Sequence, residues 1–338
     1  MKELPTVSVV IPTYNCAPLL PETLKSLDQQ DYPQDKIERI IVDGGSTDNT
    51  RAVARRYGWR VVDNPARSNL YGLPLAFAAA TGNLILHIDD DNVLDQPDWL
   101  RKMVAPFQDP SVVAAEPLYY HAPAHTDEIT RYISLIGADD PLVVYAGFHD
   151  KWSALVNAWT GVPHQADDRG DYLAVTFTNL SKIPSLACNA FMARREVLLP
   201  AVQTPWLHMD GAIRMLKAGP GRRWAKVKVG LVNHHATGLG NFWVKKWRRL
   251  TTRSREAASF EYQYPLTVTD VAKLTVRCLT FVPLCLDAAR GFSRRPDPVW
   301  LLHPLLTIGT IATYGLAYIQ LQLRGQTARP VSLRPVNF

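Results

Sequence analysis

The run Leu84-Ile85-Leu86-His87-Ile88-Asp89-Asp90-Asp91-Asn92, an apolar strand-forming stretch that ends in three consecutive acids, constrains this chain more than any other. Alternate side chains on a strand share a face, so Asp89 and Asp91 are expected to converge on one cation while Asp90 points away. Clustered carboxylates repel one another, and hard oxygen ligands suit Mg2+ or Mn2+, which in turn binds phosphates. An ordinary acidic loop after a core strand would carry the same residues.

Two earlier runs repeat the pattern. Val7 to Asn15 (VSVVIPTYN) is a buried-type strand closed by Pro12, and residues 17 to 30 then place Leu20, Leu24 and Leu27 on one helical stripe. Arg39 to Val42 is a second strand that runs into Asp43-Gly44-Gly45-Ser46-Thr47-Asp48, where the glycines permit a tight turn and Ser46 to Asp48 can cap the next helix. Strands alternating with helices predict an α/β fold. Carboxylates and exposed amides then fall at the carboxyl ends of successive strands, where open α/β sheets bind nucleotides.

The stretches VSVVIPTYN (7 to 15), IIVDGGSTDNT (40 to 50) and ILHIDDDN (85 to 92), in this order and spacing, resemble the inverting glycosyltransferases of family 2. The resemblance is strong over residues 5 to 118 and weaker to about 250. It implies the GT-A fold, a Rossmann-like mixed sheet flanked by helices, and a UDP- or GDP-linked sugar donor. By the same resemblance Pro12, Tyr14, Asn15, Ser46 and Asp90 line the donor site, Asp43 contacts the base, and Asp89 and Asp91 form the metal-binding DxD. The expected domains are a nucleotide-sugar half (1 to 118), an acceptor half (119 to 255) and membrane-associated helices with a tail (256 to 338).

A chain of 338 residues, 47% hydrophobic and 20% charged, can bury a substantial core. Its four cysteines, Cys16, Cys188, Cys278 and Cys285, have neither metal-ligand nor disulfide-framework spacing, which points to a reducing compartment. The first strand starts within a few residues of the N-terminus, leaving no room for a signal peptide, so the expected location is the cytoplasmic face of the inner membrane. Net charge is +6. Residues 241 to 255 concentrate it: Lys245, Lys246, Arg248, Arg249, Arg253 and Arg255 alternate with Phe242, Trp243 and Trp247, which suits anionic lipid or a diphosphate. No nucleic-acid fold signature accompanies these residues, so a nucleic-acid partner is not expected.

Val299 to Ile319 carries no charge over 21 residues, long enough to cross a bilayer or lie embedded in one. Thr267 to Ala289 mixes Lys273, Arg277 and Asp287 with apolar residues and reads as an amphipathic interfacial helix. Arg290 to Arg295 and the tail (Arg324, Arg329, Arg334) are both basic, and the positive-inside rule puts both on the cytoplasmic side. A single crossing does not satisfy that. Two interfacial or re-entrant helices do, and such a monotopic anchor is expected in preference to a hairpin through the bilayer.

The middle of the chain is expected to build the acceptor side, with acid-rich patches at Gly137 to Pro141 and Asp167 to Tyr172 that suit a functional insertion or an ordinary helical subdomain. Trp206 to Gly219 resembles the family's Glu-Asp-x-Asp-Leu-x-x-Arg segment, with Leu207 and His208 in place of the Glu-Asp pair. Either Asp210 or His208 could then take the acceptor proton. In the resemblance a histidine at His235 can reach the metal or the diphosphate. Trp247-Arg248 reverses the Arg-Trp of processive synthases and no glutamine leads it, which speaks against a polymerase. The expected reaction moves a sugar to a membrane-linked acceptor in cell-envelope polysaccharide or glycolipid synthesis. A polyprenyl-phosphate glycosyltransferase and a non-catalytic membrane or nucleic-acid adaptor are the alternatives.

Overall fold

The computed structural model describes residues 3–235, 238–256, 261–262 and 268–323, without the side chains of 252–256, 268 and 271. In chain order the elements are β1 (Val7–Thr13), α1 (Leu20–Asp28), β2 (Ile37–Asp43), α2 (Thr50–Arg56), β3 (Arg60–Asp63), α3 (Asn69–Ala79), β4 (Leu84–His87), β5 (Asn92–Leu94), α4 (Trp99–Val104) and β6 (Val112–His121). After them come α5 (Glu128–Ile136), α6 (Pro141–Tyr145), β7 (His164–Asp168), β8 (Tyr172–Phe177), β9 (Phe191–Arg194), α7 (Arg195–Ala201), α8 (His208–Lys217), β10 (Arg223–Asn233), α9 (Gly238–Glu256), α10 (Val268–Thr280), α11 (Val282–Arg294) and α12 (His303–Leu323).

The chain forms two compact units that interleave along the sequence. The first comprises residues 1–119, 163–180 and 185–233, the second 120–162, 181–184 and 234–338. The first unit holds the sheet, in the order β3-β2-β1-β4-β9-β6-β10-β8-β7 with β5 on β10. Its β3-β2-β1-β4 half is parallel, and from β9 onward the neighbours recorded in register run antiparallel. All seven residues of β1 are buried, as a central parallel strand requires. Pro12 is tolerated there because its nitrogen faces β4, whose pairing with β1 ends at Val10↔His87. No ladder bond is lost.

Two expected elements differ. The strand ahead of the acids stops at His87, and Asp89 to Asp91 form a turn closed by Asn92 N–H donating to the Asp89 carbonyl (3.2 Å). Strand alternation therefore does not direct these side chains. The helix expected over 267 to 289 is broken at Phe281 (φ 59°) into α10 and α11, because Pro283 cannot donate within a helix and its ring clashes with the turn before it.

The second unit is helical. Asp127 caps α5 by accepting from Ile129 and Thr130 N–H, and Asp140 caps α6 by accepting from Leu142 N–H (2.9 Å). The Gly137 to Pro141 patch is thus the α5–α6 joint. Asp139 lies among basic residues: Lys246 donates to its carbonyl, Arg249 to its carboxylate, and His235 Nε2 is 3.7 Å away. Burial works to raise the Asp139 carboxyl, but Arg249 and then Lys246 override it and hold it well below the usual range. This corrects the membrane reading of three basic residues. Lys246 is fully buried, Arg249 turns to Asp139, and Lys245 donates to the His235 carbonyl, whereas Arg248 stays exposed. The side chains of Arg253 and Arg255, residues 263–267 and the tail with Arg324, Arg329 and Arg334 lie outside the described residues.

α12 packs beside α9 and α6. Its inner face buries His303, Leu306, Thr310, Ala317 and Leu321, with Tyr314 donating to Asp140. Its outer face presents Leu305, Leu316, Ile319 and Leu323, continued by Leu301, at spacings of three, four and eleven residues that keep one side of a helix. The stretch Pro298–Leu323 is long and apolar enough to cross a membrane by length and composition.

Candidate donor and catalytic site

Two loops at the carboxyl ends of β1 and β2 are clamped together. Asn15, in the left-handed region (φ 49°) that asparagine tolerates, accepts at Oδ1 from Thr47 N–H (2.8 Å), and its own N–H donates to Ser46 Oγ (2.9 Å). Asp48 Oδ1 accepts from Thr50 N–H and its Oδ2 from Ala17 N–H, closing the clamp from the α2 side. Asp43, expected to contact a base, is 1% exposed and accepts from Thr13 Oγ1, Gly45 N–H, Ser46 N–H and Ser46 Oγ. Its carboxylate shapes the loop from beneath. The amides of 45 to 47 are likewise occupied by Asp43 and Asn15.

What remains open above this frame is side chain. Tyr14 is 57% exposed. Arg67, which the sequence reading passed over, faces it across Gly44: a Cβ on Gly44 would meet the Arg67 Cα and the Tyr14 ring at 3.6 Å each, and the Arg67 guanidinium lies over Gly45. Arg67 is exposed. The signal was the polar run Asn64 to Asn69 directly after β3, at the same end of the sheet as the other two loops.

The acidic turn completes that end. Asp89, Asp90 and Asp91 are half-buried. Asp90 faces α1: its carbonyl accepts from Thr23 Oγ1 (3.0 Å), and its carboxylate hydrogen-bonds the Cys16 thiol, which is pushed up first by burial and then by this charge. Asp91 Oδ1 accepts from Asn92 Nδ2 (3.1 Å), and Asp89 Oδ1 lies 3.5 Å from His87 Nε2. Among the described residues no group of three or more His, Cys, Asp or Glu side chains could hold a metal ion by itself. Two half-buried carboxylates above a buried histidine with unpartnered ring nitrogens fit a hard cation that takes its other oxygens from water and a diphosphate.

The candidate bases belong to the same unit. β9 pairs His87 with Phe191, and Trp206 packs edge-on to Phe77 (5.3 Å) and parallel to Phe191 (6.5 Å). Gly211 makes room for it, since a Cβ there would meet the indole at 1.9 Å. Thus anchored, Trp206 Nε1–H donates to His208 Nδ1 (3.3 Å), and the His208 ring stacks on His87 at 5.5 Å. An indole nitrogen only donates, so neutral His208 carries its proton on Nε2 and its basic nitrogen is occupied. Asp210, in the first turn of α8, is 4% exposed. His235 lies in the second unit, its Nε2 3.7 Å from the Asp139 carboxylate.

Comparison with known proteins agrees with this architecture. The model of Glycosyl transferase family 2 matches residues 8–197, more than half of the 338. The poly(ribitol-phosphate) beta-N-acetylglucosaminyltransferase TarS of Staphylococcus aureus (strain Mu50) is 33% identical over 95 residues, covering 26% of this chain and 17% of that protein. An N-acetylglucosaminyltransferase of Rhizobium leguminosarum bv. viciae is 34% identical over 122 residues, covering 33% and 28%. The chain therefore spans less than a third of the length of these relatives. Among solved structures, the mannosyltransferase PcManGT from Pyrobaculum calidifontis, in complex with GDP-Man and Mn2+, superposes with a TM-score of 0.52 at 20% identity, covering 93% of this chain and 88% of that one. That likeness shows the GT-A fold.

Proposed function

The chain belongs to the family 2 glycosyltransferases, and from that premise we propose that it moves a sugar, by a single inverting displacement assisted by a divalent metal, from a UDP- or GDP-linked donor to a membrane-linked acceptor. The observation that carries this reading is the convergence, at one end of one sheet, of the clamped β1 and β2 loops, the exposed Tyr14 and Arg67, and the half-buried Asp89 and Asp91. Asp89 and Asp91 would hold Mg2+ or Mn2+, which when bound supplies charge neutralisation for the departing diphosphate. Arg67 places a second positive charge beside the same loops. Asp210 is the better general base, because His208 already accepts a hydrogen bond at its basic nitrogen.

Membrane attachment is supported by exposed apolar side chains in the second unit: Val276, Leu279, Phe281, Val282 and Leu286 around the α10–α11 joint, and the outer stripe of α12. The inner face of α12 is tied to Asp140, next to the charged Asp139 nest. A spanning position would carry those charges into hydrocarbon, so an in-plane helix on the cytoplasmic side is the reading adopted. A nucleotide-sugar turnover screen with lipid-linked acceptors, with Mn2+ and with chelator, tests the whole proposal. Turnover that requires Mn2+, is lost in Asp91→Asn and is largely kept in Asp90→Asn is expected. No turnover of any UDP- or GDP-sugar would favour a non-catalytic adaptor.

A further inference from the structure

His87 interrupts an otherwise apolar strand. The side chain is 1% exposed. Phe191 packs edge-on at 5.6 Å and His208 lies parallel at 5.5 Å, so rings wall it in on two sides. Neither ring nitrogen has a hydrogen-bond partner among the described residues. A buried imidazole N–H left unpaired is costly, and such an atom in a native fold needs a reason. The Asp89 carboxylate supplies one. Its Oδ1 stands 3.5 Å from His87 Nε2, just outside good hydrogen-bond length, at the start of the acidic turn.

We propose that His87 is a positioning residue for the acidic turn: it holds Asp89 by donating from Nε2 and supports the ring of His208 from below. The inference rests on the metal-assisted donor site proposed above. A carboxylate that ligates a cation with one oxygen is oriented by a hydrogen bond to the other, and such outer partners set metal affinity without touching the metal. Here the support comes from within the core, where the aromatic walls prevent the ring from turning away.

Calorimetric titration with UDP and GDP, each with Mn2+ and with chelator, tests it without requiring turnover. His87→Phe keeps a ring between Phe191 and His208 and removes the donor. It should lower Mn2+-dependent nucleotide affinity on the order of 10-fold or more while leaving the affinity in chelator unchanged. His87→Gln gives an independent arm, since it removes the stacked ring yet keeps an N–H within reach, and it should retain most of the Mn2+-dependent affinity. In an Asp89→Asn background His87→Phe should add no further loss. Wild-type affinity in His87→Phe, an equal loss in chelator, a full loss in His87→Gln, or additivity with Asp89→Asn would each overturn the assignment. If the wild type itself binds nucleotide equally with and without Mn2+, the metal reading falls and His87 with it. That outcome differs from a Mn2+-dependent wild type that His87→Phe leaves intact.

Discussion

Two acidic clusters look alike in the sequence and do opposite things in the fold. Asp89 to Asp91 form a half-buried turn just after a strand, and Asp89 Oδ1 approaches His87 Nε2 at 3.5 Å. Asp139 and Asp140 are enclosed by Arg249, Lys246, His235 and Tyr314, and the latter pair joins α5, α6, α9 and α12. The difference lies in where opposite charge is found. The acidic turn leaves its carboxylates half-buried beside the clamped loops, while the Asp139 and Asp140 carboxylates are engaged by Arg249 and Tyr314 in helix packing. Acids of the first kind can be removed with little cost to folding and a large cost to chemistry. The reverse holds for the second.

The sharpest separation should come from Asp210, which sits in the first unit. Asp210→Asn is expected to lower kcat about 100- to 10,000-fold, more than His208→Gln, with donor affinity nearly intact. A loss confined to His208→Gln would reverse the ranking, and full activity in both would indicate an anionic acceptor that needs no base. Next, Asp139→Ala should cost about 1–3 kcal/mol of stability, because it removes the carboxylate that Arg249 donates to and that offsets the charge of buried Lys246. Thermal unfolding of this variant beside Asp91→Asn measures the contrast. Equal melting temperatures would break it. A smaller effect is expected for Arg67→Gln, about 10-fold in nucleotide affinity at unchanged melting temperature, since one charge-assisted contact is removed from an exposed side chain.

The weakest effect is a pH dependence. Burial first, with Lys246, Arg249 and Lys245 adding, holds His235 well below its ordinary value, so it stays neutral in the folded state. The unfolded chain takes up a proton below about pH 6.5 and the folded chain does not. The stability is therefore complete above that pH and declines as pH falls toward the folded value. Melting temperatures should drop between pH 7 and pH 5, and His235→Gln should flatten the drop. A wild-type curve that is level over this range would remove His235 from the nest.

The local parts of this account were legible in the residues. The β1 and β2 strands announce themselves by continuous apolar runs, and the clamped loops by glycine, asparagine and serine at the turns. The partners of charged groups were not legible, because they are set by contacts far apart in sequence. Lys246 and Asp139 are 107 residues apart, so a basic helix that reads as a lipid contact is in part a core element. The acidic turn escapes the strand's period of two for a local reason: β4 ends at His87, before the acids. Trp206 fixing the tautomer of His208 depends on Phe77, Phe191 and Gly211 converging from three elements, which no spacing reveals.

The central claim is that Asp89 and Asp91 form the cation site and the Asp139 cluster does not. Anomalous diffraction from crystals soaked with Mn2+ and UDP, and in parallel Mn2+ and GDP, tests it most directly. The account predicts one strong peak within about 2.0–2.6 Å of carboxylate oxygens of Asp89 and Asp91, completed by diphosphate oxygens. A peak at Asp139 and His235 instead, or nucleotide bound with no metal at the acidic turn, would contradict it.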